Sequence, residues 1–160
     1  MSAVDRFRHG QLHSRCDDGD CFRACISVLL GVPNGDHIPN PHDQLWFFAW
    51  QDFLAPFGMA IDHSHAKGPI WRGHPWIASV PSKNCEGKSH AIVMGDRNQV
   101  LFDPSPNRRY HAGWSLLGKD VVLGGTWLEV SDASRLKEFV KWQTQTNRAW
   151  QYATAKKIRL

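Results

Sequence analysis

Apolar positions change their spacing along this chain, and the changes divide it into helical and extended stretches. The first apolar run, Cys21 to Leu30, contains Phe22, Ala24, Cys25, Ile26, Val28, Leu29 and Leu30, so it is apolar on nearly all sides. A helix with that pattern is predicted to lie buried in the middle of a fold. Gly31 ends it, and Pro33 prevents its continuation. A second helix is predicted to start with Asn40 as N-cap, Pro41 at the first helical position and Asp43 in the first turn. Its Trp46, Ala49, Trp50, Phe53, Leu54 and Phe57 keep one-face helical spacing, and Gly58 stops it. Strand-like runs follow at Met59 to Asp62, Trp76 to Val80, Ala91 to Met94, Gln99 to Phe102 and Thr126 to Val130. Ser131 or Asp132 then caps a last helix with Leu136, Phe139 and Val140 on one face. Helices first, strands second and one helix last predict an α+β fold with an antiparallel sheet, not alternating βαβ units.

The totals fit that outline. A chain of 160 residues makes one domain with a sizeable core and is too short for two ordinary ones. Apolar residues at 42% and charged residues at 21% are a globular composition, and eight tryptophans imply an aromatic core, a ring-lined groove or both. No repeat or linker divides the chain, so residues 1–160 are read as a single domain. Its N-terminal segment, 1–19, is polar, and 144–160 is a basic C-terminal tail. No apolar run approaches the roughly 20 residues of a membrane helix, so no membrane partner is expected. Met1 to Gly10 show no secretory h-region, and a cytosolic site is expected. There the four cysteines, Cys16, Cys21, Cys25 and Cys85, are expected as free thiols. The net charge of +4 rests partly on Lys156, Lys157 and Arg159, which is weak ground for a nucleic-acid partner.

Candidate chemistry starts from the first helix. A helix N-terminus favours a thiolate through its unpaired N–H groups and the positive end of its dipole. Cys21 follows Gly19-Asp20 in the first turn, whereas Cys25 lies one turn further in, on a buried surface. Cys21 is therefore the thiol placed for nucleophilic attack. Asp20 opposes a neighbouring thiolate unless its charge is committed as the helix cap. The base comes from a hairpin. Gly95-Asp96-Arg97-Asn98 reads as a four-residue loop, which sets Met94 opposite Gln99 and His90 opposite Asp103. Facing residues on antiparallel strands share a face with Cβ atoms about 5 Å apart. A carboxylate at that range fixes the tautomer of the imidazole and steadies its charged form.

These residues resemble a known family. The stretch from Gln11 through Asp20-Cys21-Phe22-Arg23-Ala24-Cys25-Ile26-Ser27-Val28-Leu29-Leu30-Gly31 resembles the nucleophile helix of papain-like peptidases. The likeness is strongest to the bacteriocin-processing (double-glycine) peptidases and related small phage and bacterial proteins. Asp36 to Asn40 and Phe53 to Gly58 look like that group's second helix and its flanks. Ser89-His90-Ala91-Ile92-Val93 and Asp103-Pro104-Ser105-Pro106 look like its His strand and Asp-Pro turn. The likeness runs from about Gln11 to Pro106. It implies a papain-like fold and a Cys21-His90-Asp103 triad that cleaves a peptide, amide or isopeptide bond without metal or organic cofactor. It also implies a protein or peptide substrate, a bacterial or phage-infected cell as the setting, and Gln11 as oxyanion-hole donor. Asp18-Gly19-Asp20-Cys21-Phe22-Arg23-Ala24 is locally similar to ovarian-tumour-type deubiquitinases as well.

Competing readings have their own signatures. An acyltransferase would use the same triad with a different acceptor, and a papain-like adaptor would keep the fold without reactivity. Structural zinc is disfavoured because Cys16, Cys21 and Cys25 lack C-x₂-C spacing. His63-x-His65 is more simply surface polarity than a ligand pair. Trp46, Trp50 and Phe53 read as packing, while Trp71, Trp76 and Trp114 lie outside helices, as core, loop anchors or groove walls.

Overall fold

The first helix forms where the sequence is most apolar. In a computed structural model that describes residues 19–66, 73–107, 109–116 and 121–155, α1 runs Cys21–Leu30, with the bounds the pattern predicts. Gly31 closes it in the left-handed conformation (φ 68°), and the Gly31 N–H returns to the helix carbonyls. Ala24, Cys25, Ile26, Val28 and Leu30 are buried along its length. Each large side chain taken out of water there contributes roughly 1.5–3 kcal/mol.

The second helix starts later than predicted. α2 is Trp46–Leu54, followed by a 3₁₀ turn, Ala55–Phe57. Asp43 explains the delay: its carboxylate accepts from the Leu45 N–H and its carbonyl accepts from the Trp46 N–H. That turn holds the chain out of the helix for three more residues. Asn40 and Pro41 are therefore not cap and first turn. They lie in the extended approach and border the cleft described below.

Five strands complete one sheet: β1 Met59–Ser64, β2 Trp76–Pro81, β3 Ser89–Met94, β4 Val100–Phe102 and β5 Gly124–Val130. Their order is β1-β5-β2-β3-β4, with every neighbouring pair antiparallel. The α+β class and the antiparallel sheet are as expected. β1, β3 and β5 extend two residues and β2 one residue beyond their predicted bounds, while β4 starts one residue late. Alternation along β2 and β3 serves two cores. Ile77, Ala91 and Val93 pack with α1 and α2, and Trp76, Ala78, Val80, Ile92 and Met94 pack with Tyr110, Leu116 and Val122.

Asp132 caps the final helical segment by accepting from the Ser134 N–H, opening a 3₁₀ turn at Ala133–Arg135. α3 then runs Leu136–Ala155, so most of the expected tail from residue 144 is helix instead. Phe139 and Trp142 stack on Phe57 and Phe53. The Gln143 side-chain amide donates to the Leu30 carbonyl at the far end of α1. That contact spans a sequence separation of 113 residues.

Gly58 shows how tightly the return is made. Its φ is 72°, and a Cβ built there would meet the Asp132 carbonyl oxygen at 2.1 Å. Its own carbonyl accepts from the N–H groups of Ser131 and Asp132. Gly58→Ala combines a left-handed penalty with a backbone clash. It is expected to lower stability by more than about 2 kcal/mol, read from the urea midpoint.

Candidate active site

Cys21 opens α1 half-buried, and its thiol is free. Asp20 immediately before it is fully buried and occupies the N-cap position, but its carboxylate makes no side-chain cap bond. Instead the Arg23 guanidinium donates to Asp20 Oδ2 at 3.0 Å, and Asn34 Nδ2 donates to the same oxygen at 2.8 Å. Both partners are themselves buried. The charge that opposes a thiolate at Cys21 is thus paired with Arg23 on the same helix, and Asn34 beyond its end adds a hydrogen bond.

His90 Nε2 and Asp103 Oδ1 are 2.6 Å apart. The Ser105 N–H also donates to Asp103 Oδ1, at 2.9 Å, and the Tyr110 N–H donates to Oδ2 at 3.0 Å. Cys21 lines the same cleft as His90 and acts on its ring as a polar, charge-stabilising neighbour. Because Nε2 faces Asp103, the nitrogen left for sulfur is Nδ1. Burial disfavours charge on the ring, yet Asp103 and Cys21 outweigh it and raise the His90 pKa to about 9. Burial likewise opposes ionisation of Asp103. The hydrogen bonds from His90, Tyr110 and Ser105 reverse that, and its pKa falls below the ordinary value. Cys25 is the contrast: wholly buried, with its pKa pushed well up by desolvation and by the nearby Cys21, Asp103 and Asp20. The sequence-predicted nucleophile, base and orienter are brought together. Gln11 lies outside the described residues.

The hairpin reaches this result by a different register. Gly95 N–H donates to the Gln99 carbonyl, Asn98 N–H returns to the Gly95 carbonyl, and Asn98 adopts φ 57°. The loop therefore has three residues closed by a left-handed one, not four. The pairs are Met94↔Val100 and then Val93↔Phe102, with a second shift between them. Two one-residue shifts sum to an even displacement, which returns Asp103 to the face that His90 occupies, two positions along. Diagonal neighbours at that offset remain within side-chain reach.

The cysteines correct another expectation. Cys85 is disulfide-bonded, whereas Cys21 and Cys25 are free. Cys16 lies outside the described residues. No helix among the described residues is long and apolar enough to cross a membrane.

A cleft of about 410 Å³ opens beside Cys21 and His90. Phe22, Trp46 and Trp50 form its aromatic wall, with Phe22 edge-on to both tryptophans at 5.7 and 5.6 Å. His63 and His65, read above as surface polarity, line the cleft with their rings 4.9 Å apart. Lys88 stands on the opposite side, just before the His90 strand. Gly124 lies where β5 meets β1, and a Cβ there would come within 2.7 Å of the Ser64 carbonyl. Trp76 is buried core and Trp114 is exposed away from the cleft, while Trp71 lies outside the described residues. No cluster of three or more metal-ligating side chains occurs among the described residues.

Sequence reasoning missed the Asn34 contact, the Tyr110 and Ser105 donors, and the histidine wall. The Asp20–Arg23 pair had a readable signal in its i,i+3 spacing. Asn34 had none, because only the fold brings it back to Asp20. Comparison of the chain with protein-family models, with curated proteins and with solved structures returned no match.

Proposed function

We propose that the protein is a papain-like cysteine hydrolase that cleaves a peptide, amide or isopeptide bond in a protein or peptide substrate. The observation that carries this reading is the 2.6 Å pairing of His90 with Asp103 in the cleft that the free thiol of Cys21 also lines. Each member has the environment its role requires. The sulfur sits at a helix N-terminus whose adjoining carboxylate is paired with Arg23, and the imidazole keeps its proton to about pH 9.

The reaction follows from those environments. Cys21 thiolate attacks the scissile carbonyl carbon, and the carbonyl π electrons move onto oxygen. The developing oxyanion takes a hydrogen bond from the Cys21 backbone N–H, with Gln11 as the second donor that the papain-like resemblance implies. Collapse of this intermediate breaks the C–N bond as His90 delivers its proton to the leaving nitrogen, leaving a thioester. His90, now neutral, takes a proton from water, whose oxygen displaces the sulfur as thiolate. Asp103 stays ionised and holds the ring in orientation throughout.

Intact-mass analysis with an electrophilic peptide probe tests the assignment. One adduct is expected on the wild type, none on Cys21→Ala and little on His90→Ala. Labelling that persists in Cys21→Ala would overturn it.

A further inference from the structure

The charge of the cleft is one-sided. Lys88, His42, His63, His65 and His90 all line it, and none of the described lining residues is Asp or Glu. The nearby carboxylates are withheld. Asp20 is buried against Arg23 and Asn34, and Asp103 is buried against His90. Asp62 alternates with His63 along β1 and is exposed, so it points to the other side of the strand. Glu86 shares a loop with Lys88 but is exposed and does not border the cleft. A fixed positive charge such as Lys88 in a concave site with low-dielectric walls focuses its field on whatever enters. The aromatic wall of Phe22, Trp46 and Trp50 supplies such a boundary here.

From this arrangement we infer that the preferred substrate is an acidic peptide, with a carboxylate side chain within two or three residues of the scissile bond. The inference rests on the hydrolase reading and adds the substrate's charge to it. Lys88 supplies the fixed positive charge. His63 and His65 supply ring N–H groups that donate to a carboxylate, and His42 lies on the same rim. An ammonium group in that position would find no carboxylate on the described walls to receive it.

Three electrophilic peptide probes, identical except for Glu, Gln or Lys at one position beside the warhead, decide the matter. Labelling of Cys21 is followed by intact mass at pH 7 in low salt. The Glu probe is expected to react at least about tenfold faster than the Lys probe, with Gln between them. The ratio should shrink as salt is raised, because screening at 1 M acts within about 3 Å. Lys88→Gln should lower the Glu rate severalfold and narrow the ratio of the Glu rate to the Gln rate, and His65→Gln should narrow that ratio more weakly. Equal rates for Glu and Lys, with Cys21 labelled throughout, would end the charge inference and leave the hydrolase standing. No labelling of Cys21 by any probe would end both.

Discussion

Arg23→Met is expected to destabilise the protein by roughly 3–5 kcal/mol, because it takes the guanidinium away from the buried Asp20 carboxylate. For a domain of this size that corresponds to a fall of about 10 °C in Tm, measured by thermal unfolding at neutral pH. Asn34 still donates to Asp20 in the variant, but a neutral amide cannot balance a full charge. Adding Asp20→Asn to Arg23→Met should recover part of the loss, since the buried charge is then gone. A double variant no more stable than the single one would show that Arg23 acts through packing instead. The same substitution carries a chemical consequence. Without the guanidinium, the Asp20 charge acts on the neighbouring sulfur, so Cys21 should alkylate more slowly even in the fraction that remains folded.

Asp103→Ala should have the largest effect on reactivity after loss of the nucleophile itself. The carboxylate orients His90 through a 2.6 Å contact and is one of two groups that hold the ring's proton to about pH 9. Without it, labelling of Cys21 by a peptide probe should fall on the order of 10²-fold or more. The pH profile should change as well. In the wild type, labelling that depends on the imidazolium persists until the pH passes about 9. In Asp103→Ala that alkaline limb should move down towards the ordinary histidine range near 6.5. An unmoved limb would assign the titration to another group. Stability follows the same signs. His90 is raised in the folded state, so its contribution is complete below about pH 6.5 and is lost as pH rises through about 9. Asp103 is lowered, so its contribution is present above its ordinary value of 3.8 and is lost as pH falls through its folded value.

Much of this geometry was legible in the sequence, for identifiable reasons. α1 could be read to the residue because its apolar run ends at a glycine followed by a proline. The strands could be found from their β-branched and aromatic content. Their ends could not, because ladder pairing with a neighbour sets them. The start of α2 was misplaced because Asn40-Pro41 has the form of a helix start, while the competing turn at Asp43 depends on one local hydrogen bond. The meeting of His90 with Asp103 was foreseen through a register that does not occur. The prediction survived because two single-residue shifts cancel in side-chain direction, and one alone would have turned Asp103 to the opposite face. The disulfide at Cys85 was not legible, since cysteine counting gives no partner and the expected compartment argued against one. Nor was the positive lining of the cleft, which gathers residues from β1, the approach to α2 and the loop before β3.

The bond from Gln143 to the Leu30 carbonyl has a bearing on how the chain folds. The side chain that secures the rear end of α1 is made more than a hundred residues after that helix. Closing so long a loop is slow compared with forming the local helix. A growing polypeptide therefore carries sulfur, imidazole and carboxylate well before it carries the latch on α1. Synthesis of α3 then sets the moment at which the rear end of α1 is secured.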